Sequence, residues 1–371
     1  MDFVAGKDGR FSPPWTVIVP VAALLPLFLL WGRKPPIAGV IVVALLLGAA
    51  VLAAVHHAEV IAHRVGEPMG SLTLAVAVTV IEVGLIVTLM SAGGPKSYSL
   101  ARDTVFAAVM ITCNGIVGLA LVSGTLRRKV ALFNAEGTGA AWATVATIAT
   151  LSLVLPTFTT SQPGPEFAPA QLAFAGVASL ALYGLFVLTQ TKRHRDFFQP
   201  IATDGTVIDT AAEDAHGLPS IRASMLSLGF LVVAMVAVVG DAKLISPSIE
   251  DSVAAAGLPA GVVGVVIALL VLLPEGMAAV RAARRDRIQV SLNLAVGSAI
   301  ASIGLTIPAV ALASVWLDGP LILGLGPIHM ALLALTIVVG TLTIVPGRAT
   351  LLNGSIHLAI LAAFLVLTTV P

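Results

Sequence analysis

The chain has 371 residues, of which 58% are hydrophobic and only 11% are charged, and its mean hydropathy is +1.03. Soluble domains carry about 25% charged residues, so a soluble fold is excluded and the lipid bilayer must be the solvent. The net charge of +1 gives no electrostatic basis for nucleic-acid binding, and a single cysteine, Cys113, excludes an intrachain disulfide and a cysteine-based metal site.

Eleven apolar runs are each long enough to form a helix across a hydrocarbon layer of about 30 Å, which takes roughly 20 residues. In chain order they are about 15–31, 37–57, 72–91, 101–123, 140–159, 172–189, 225–243, 261–281, 291–317, 321–345 and 351–370. We therefore predict an all-α polytopic membrane protein with about eleven transmembrane helices. The N-terminal residues lack the pattern of a cleaved signal peptide, so we expect none.

Lysine and arginine indicate the orientation of these helices, because cytoplasmic loops carry an excess of both residues. With the N-terminus in the cytoplasm, only five of the 20 fall on the opposite side, namely Arg33, Lys34, Lys96, Arg102 and Lys243. The bias predicts a cytoplasmic N-terminus and a C-terminus outside.

The longest polar stretch, 190–222, divides the chain near its middle and is interpreted as a cytoplasmic linker. We expect 1–36 to form an N-terminal segment with one extra helix, 37–189 a first five-helix repeat, and 223–371 a second. An odd number of helices per half gives the halves opposite topology, which is typical of inverted-repeat transporters.

Two acidic residues, Glu82 and Glu275, lie well inside apolar runs, and we place the other 17 of the 19 in loops or near helix ends. Each of the two lies in the second helix of its predicted half. An ionised carboxylate at the bilayer centre costs roughly 2.5–3.5 kcal/mol, so such acids are expected to face a protein-lined cavity and to be functional. A structural, protonated glutamate bonded to a neighbouring helix is the alternative interpretation.

Two carboxylates that face each other across a pseudo-two-fold axis can be neutralised by one divalent cation, two monovalent cations or two protons. Because cation and proton would occupy the same oxygens in turn, the pair predicts exchange. Calcium takes roughly 6–8 oxygen ligands, so other groups must contribute. Hydroxyl and amide side chains near the acids are candidates to line the ion path: Thr79, Thr112, Asn114, Asn293, Ser298 and Ser302. Each is equally suited to linking two membrane helices.

The helices that follow the two acids can be aligned without gaps, starting at Asp103 and Asn293, which places Thr112 over Ser302. The letters match weakly, and the equivalent placement of the acids is the stronger indication of a repeat. Pro274, directly before Glu275, frees a backbone carbonyl one turn earlier, which is either a cation ligand or the result of a simple kink.

Three histidines, His56, His57 and His63, cluster at the predicted cytoplasmic end of the second helix. Histidine titrates near neutral pH, so the cluster is interpreted either as a pH sensor or as an interfacial anchor.

Three stretches carry a resemblance to a known family. They are HRVGEPMGSLTLAVAVTVIEVGLIVTLM at 63–90, LARDTVFAAVMITCNGIVGL at 100–119 and VIALLVLLPEGMAAVRAARRDRIQVSLNLAVGSAIASIGLTIPAVA at 266–311. They resemble the ChaA-type ionic transporters, which are bacterial calcium/proton antiporters of the cation/calcium exchanger superfamily. The resemblance extends over nearly the whole chain from the second helix onward.

This resemblance implies one extra helix followed by two inverted five-helix repeats, with one essential acid in each repeat, here Glu82 and Glu275. It implies exchange of Ca²⁺, or of Na⁺ or K⁺, for H⁺ across the bacterial inner membrane. The expected partners are inorganic cations, protons and membrane lipid, with no cofactor and no catalytic residue. The sequence leaves the oligomeric state open.

Two alternatives remain at this point. Thr79 and Leu272 stand where better known calcium/proton exchangers of the superfamily carry asparagine, which leaves a monovalent cation/proton antiporter open. An intramembrane lipid-modifying enzyme is less favoured, because neither paired aspartate motifs nor a nucleophile with a base occurs at membrane depth. A channel is also less favoured, because it does not require one acid in each half.

Overall fold

The computed structural model of the chain describes residues 14–30, 32–33, 35–65, 69–91, 97–126, 128–200, 219–259, 261–317 and 319–370. Over these residues the chain forms eleven helices. They are α1 (Pro14–Leu30), α2 (Ile37–Val65), α3 (Met69–Met90), α4 (Leu100–Thr125), α5 (Ala135–Thr157), α6 (Pro169–Arg193), α7 (Ile221–Ala255), α8 (Gly261–Arg284), α9 (Ile288–Ala313), α10 (Pro327–Ile344) and α11 (Leu351–Thr369).

Nine of these described helices are long and apolar enough to cross a membrane, and α1 and α3 add shorter apolar helices. A helix satisfies its backbone hydrogen bonds within itself, which is what a segment in hydrocarbon requires. The prediction of a polytopic all-α membrane protein is confirmed. Lys7, Arg10, Lys34, Lys96 and Arg127, which entered the orientation argument, lie outside the described residues.

The predicted boundaries differ most at α7, which is 35 residues long and continues from Ile221 to Ala255. The Ser220 hydroxyl caps its start by accepting a hydrogen bond from the Ala223 backbone N–H at 3.2 Å. Pro247 removes one backbone hydrogen bond within α7 but does not end the helix. The predicted end at residue 243 was therefore wrong.

Two short strands, β1 (Ala131–Leu132) and β2 (Arg348–Ala349), form an antiparallel pair. The pair joins the α4–α5 loop to the α10–α11 loop. A strand of two residues is too short for the alternation of polar and apolar residues that indicates a strand, so the pair could not be predicted from the sequence.

The loops gather at two ends of the bundle. At one end, here the α4–α5 end, β1 pairs with β2, and Arg128 pairs with Asp286 of the α8–α9 loop at 3.0 Å. At the other, the α3–α4 end, the Ile322 N–H donates to the Tyr98 carbonyl at 3.1 Å and the Gly324 N–H to the Pro165 carbonyl at 2.9 Å. Successive loops therefore lie at opposite ends of the bundle, as expected for a chain that crosses the membrane back and forth.

Helices of the two predicted halves pack against each other in matched pairs. The first helices, α2 and α7, pack together, α3 packs on α9, and α4 packs on α8. The larger apolar core receives Ile86 and Leu89 from α3, and a smaller core around α2 and α7 receives Ile81 and Leu85 from the same helix. Helix α3 therefore lies between two cores. Residues 201–218 of the predicted linker lie outside the described part.

Candidate ion site

Helices α3, α6, α8 and α9 line a cavity of about 280 Å³. Glu82 of α3 and Glu275 of α8 both line it and are only 3% and 8% exposed. Carboxyl groups are rarely this deeply buried without a charge partner. The structure therefore brings the two intramembrane acids to one cavity.

The packing of α3 explains why Glu82 points into this cavity. Ile81 and Leu85 are 1% and 2% exposed and pack into the smaller core. At about 100° per residue, Glu82 lies about 100° around the helix from Ile81 and about 60° from Leu85, on the side of α3 that meets α9. Thr79 lies about 60° further round, one turn earlier. Thr79 accordingly lines the cavity too.

Ser302 of α9 reaches across to α3 and donates its hydroxyl to Glu82 Oε1 at 2.7 Å. A hydrogen bond to a charged group contributes about 1.5–3 kcal/mol, so this contact stabilises the ionised form of Glu82. Ser302 is thus both a lining residue and the partner of one of the acids.

Glu275 has a different set of contacts. Its Oε2 atom is buried and has no hydrogen-bond partner among the residues that the structure describes. A buried polar atom without a partner is rare in native proteins and often marks a functional group. This oxygen is free to accept a proton or a cation.

Two more predicted residues, Asn293 and Ser298 of α9, line the same cavity. The Asn293 amide donates to the Phe198 carbonyl at 2.6 Å and accepts from Gln289 at 2.8 Å. Asn293 therefore also links α9 to the segment after α6, as the structural interpretation of such residues predicted.

Thr112 and Asn114 are not among the residues that line this cavity. Both lie in a π-helical stretch of α4, Ile111–Ile116. The Thr112 hydroxyl donates to its own helix at the Ala108 carbonyl, 2.7 Å away. Their proposed contact with the ion stays a prediction that no observation tests.

Asn114 belongs instead to a polar network between α4, α10 and α11. Its amide donates to the Thr336 hydroxyl at 2.9 Å, and its carbonyl oxygen lies 3.1 Å from Nδ1 of His357. His357 is fully buried and also contacts the Thr343 hydroxyl at 3.3 Å. The network links three helices, which is the structural role weighed for Asn114 at the outset.

Sequence reasoning missed the contribution of α6, which supplies Tyr183 and Gln190 to the lining. Helix α6 approaches α9 closely at Gly304, where an added Cβ would lie 2.8 Å from Tyr183 Cβ. No pattern in α6 indicates this contact, because it depends on which helices become neighbours. Only a small residue at 304 gave a hint of close packing.

One expectation about the acids was wrong, because Asp241 does not lie at a helix end. It is an internal residue of the long α7 and is 0% exposed. Neither carboxyl oxygen has a hydrogen-bond partner within the described part of the chain. Among the described residues, the helices therefore hold three buried acids, Glu82, Asp241 and Glu275.

Of the three clustered histidines, only His57 is buried, at 2% exposure. Its Nε2–H donates to the Thr16 carbonyl of α1 at 2.9 Å, and its ring stacks on Phe230 of α7. His63 is exposed at the end of α2. His57 thus joins α1 to α2 and α7, and a pH-sensing role stays a prediction.

A pair of buried carboxylates around a cavity inside a bundle of membrane helices is the arrangement expected of a membrane ion transporter. Among the described residues, no three histidine, cysteine, aspartate or glutamate side chains come together as a metal site. A cation in this cavity would therefore be held by two acids and by neutral oxygens.

Comparisons with known proteins agree with this class. The family model "Sodium/calcium exchanger protein" matches residues 35–192 and 226–370, so each matched segment holds one of the two glutamates. The chain is 45% identical over 366 residues to the "Putative ionic transporter y4hA" of Sinorhizobium fredii, covering 97% of both chains. It is 34% identical over 354 residues to the "Sodium-potassium/proton antiporter ChaA" of Escherichia coli, covering 94% of both.

The fold is similar to the crystal structure of the "H+/Ca2+ Exchanger CAX", with a TM-score of 0.68 and 15% identity over 95% of this chain and 86% of the other. The chain belongs to the sodium/calcium exchanger protein family. It is a multi-pass secondary transporter, as the sequence predicted.

Proposed function

We propose that this chain is an antiporter that moves Ca²⁺, or Na⁺ or K⁺, in exchange for H⁺. Glu82 and Glu275 are the shared site, and their oxygens hold either a cation or protons. The two acids can release at most two protons per cycle, which suits one divalent cation or two monovalent cations.

One observation carries this proposal. Both buried acids line the same cavity, and Glu275 keeps one oxygen without a partner among the described residues. Two purely structural glutamates would each be bonded to a neighbouring helix, because a buried polar group without a partner costs about 1–3 kcal/mol. An oxygen left bare beside a cavity suits a group that binds and releases an ion.

The names of the relatives support a cation/proton exchange. One relative is a sodium-potassium/proton antiporter, and the structural neighbour is an H⁺/Ca²⁺ exchanger. Transfer of these activities to this chain is part of the proposal.

For the identity of the transported cation, we propose calcium first. A monovalent preference is the second candidate, favoured by the lining of the cavity. Apolar side chains make up half of it, including Val78, Leu272 and Leu294, and Asn293 already has two hydrogen-bond partners. Few neutral oxygens remain to complete the roughly 6–8 that calcium takes.

The orientation and the repeats are proposals as well. The cavity extends from the two acids to Gln190 and Val290, where α6 ends and α9 begins, and Val290 is 37% exposed. With the N-terminus in the cytoplasm of a bacterium, this α4–α5 end faces inward and the C-terminus lies outside. The matched packing of α2 on α7 and of α3 and α8 on α9 and α4 supports two inverted five-helix repeats.

The test is a flux measurement in vesicles that contain the purified protein and a preset pH gradient. Addition of Ca²⁺, Na⁺ or K⁺ to separate samples is expected to collapse the gradient with saturation, and the initial rates rank the cations. Vesicles without protein give the background leak.

Each other class of protein gives a different result. A channel gives an ionic current that does not require a counter-ion, and an enzyme gives neither current nor collapse. Failure of all three cations to collapse the gradient in folded protein would contradict the proposal.

A further inference from the structure

The third buried acid, Asp241, lies in apolar surroundings. Its neighbours one turn away on α7, Ala237, Val238 and Ile245, are at most 2% exposed. Beside it, an added Cβ at Gly240 would meet the Leu27 side chain of α1. An ionised carboxylate in such a place, with no hydrogen bond, is costly, so Asp241 holds a proton in this conformation.

Asp241 lies close in depth to the Glu82–Glu275 cavity but behind α3. Helix α7 touches α3 where an added Cβ at Gly84 would lie 2.8 Å from Val239 Cγ2. The two helices run in the same direction, so Glu82 and Asp241 lie about 6 Å apart along the helix axes at 1.5 Å per residue. Glu82 is two residues from Gly84, so its side chain leaves α3 on nearly the opposite side from the contact with α7. Asp241 accordingly does not line the Glu82–Glu275 cavity.

A second cavity begins one turn further along α7 from Asp241. It has about 380 Å³ and is lined by Lys243, Leu244 and Pro247 of α7 and by Gly32, Arg33 and Pro35 of the α1–α2 loop. Leu244 is three residues beyond Asp241 and therefore lies on the same face of the helix. Pro247 leaves the Lys243 carbonyl without its helical hydrogen bond. This cavity lies toward the α3–α4 end, away from the opening beside Gln190.

The helices around Asp241 offer it no fixed counter-ion at this depth. Helix α1 has no ionisable residue between Pro14 and Leu30. The ionisable residues of α2 lie in its last ten positions at the other end, and those of α8 are Glu275 in the first cavity and two arginines in the last turn. The cations near the second cavity are exposed: Lys243 and Arg33. Lys34 lies outside the described residues.

We propose that Asp241 is a third proton-binding carboxyl of this transporter, separate from the Glu82–Glu275 site, which exchanges its proton with the α3–α4 side through the second cavity. This inference rests on the proposed antiport, since it adds one proton to each cycle. A carboxyl with no hydrogen-bond partner among the described residues has no helix-linking role in this conformation, and an apolar residue would pack there at lower cost.

The test compares Asp241→Asn with Asp251→Asn, a change of an exposed acid near the end of the same helix. In reconstituted vesicles, a fixed cation gradient is opposed by a variable pH gradient until net flux stops, which gives the protons moved per cation. We expect Asp241→Asn to lower this number by one and Asp251→Asn to leave it at the wild-type value. An unchanged number in an active Asp241→Asn variant overturns the inference.

A second measurement decides the matter if Asp241→Asn is folded but inactive. Infrared spectroscopy detects the carbonyl band of a protonated carboxyl group. We expect one such band to be absent from Asp241→Asn and to persist in the Glu82→Gln, Glu275→Gln double variant. Identical bands in wild type and Asp241→Asn overturn the inference. Exchange that survives in the double variant contradicts the proposed function instead, so the two failures are distinct.

Discussion

Glu82 and Glu275 hold corresponding places in the two halves, yet their surroundings differ. Glu82 accepts a hydrogen bond from Ser302 at 2.7 Å, whereas Glu275 keeps Oε2 bare among the described residues. Thr112, which aligns with Ser302 in the sequence, donates to its own helix at the Ala108 carbonyl instead.

The source of the difference lies in the helices that carry these hydroxyls. Around Thr112, α4 is π-helical over Ile111–Ile116, whereas α9 is α-helical at Ser302. A π-helical turn changes the direction of every side chain that it carries and is common at functional sites. Corresponding positions in the two predicted halves can therefore hold the same acid and still present different ligands.

The largest effect is expected from removing the buried glutamate that each half contributes. Glu82→Gln and Glu275→Gln should each abolish cation-driven proton flux, because an amide resembles the protonated acid in shape but cannot release a proton. Gel filtration and thermal unfolding of the purified variants should match wild type, which separates loss of chemistry from loss of folding. A variant with near-normal flux would exclude that residue from the site.

The next effect concerns pH and treats the two acids as one site. Protons and cations compete for the same oxygens, so the half-saturating cation concentration should fall as pH rises. The expected change is about tenfold per pH unit for each competing proton, while both forms are populated. Initial rates over a range of cation concentrations and pH give this slope. A half-saturating concentration that does not depend on pH would contradict shared occupancy.

A smaller effect sharpens the contrast between Ser302 and Thr112. Ser302→Ala removes the donor that stabilises ionised Glu82 and should raise the half-saturating cation concentration by roughly tenfold or more, because a hydrogen bond to a charged group contributes about 1.5–3 kcal/mol. Thr112→Val removes a hydroxyl that bonds to its own helix and should leave that concentration within about twofold. Equal effects in flux assays would show that Thr112 also contacts the ion during the cycle.

The smallest effect concerns the packing that brings α6 to the cavity. Gly304→Ala places a Cβ 2.8 Å from Tyr183 Cβ and should lower the free energy of unfolding by about 1–3 kcal/mol through overpacking. Gly297→Ala is the matched control on the same helix, because, apart from the adjoining backbone of α9, no atom of a described residue lies within 4 Å of its added Cβ. Thermal unfolding in detergent measures both, and equal midpoints would contradict the close contact.

Much of the fold could be predicted, because each membrane helix is a long apolar run that can be recognised without knowing its neighbours in the structure. The two acids of the cavity could be predicted for the same reason, since a carboxyl group stands out in such a run. Asp241 was missed because the polar residues after it, including Pro247, were taken as the end of the helix. A proline removes one hydrogen bond and need not stop a helix that neighbours support.

The neighbours of the acids could be predicted only in part. Thr79 and Ser302 follow from helix spacing and from the alignment of the halves. Tyr183 depends on which face of α6 meets α9, and Thr112 depends on a local π-helical turn. The first feature comes from the packing of distant segments and the second from a local change in the helical backbone. Neither produces a periodic pattern in the sequence.

The short pairing of β1 with β2 has a consequence for movement. The ladder aligns Ala131 with Ala349 and Leu132 with Arg348, and the Phe133 N–H donates to the Gly347 carbonyl at 3.1 Å. Pulling these loops apart would break several backbone bonds together, so the ends of α4, α5, α10 and α11 at the α4–α5 end of the bundle are tethered to one another. Any movement that opens the cavity at this end would therefore shift these four helix ends as one unit or leave them in place.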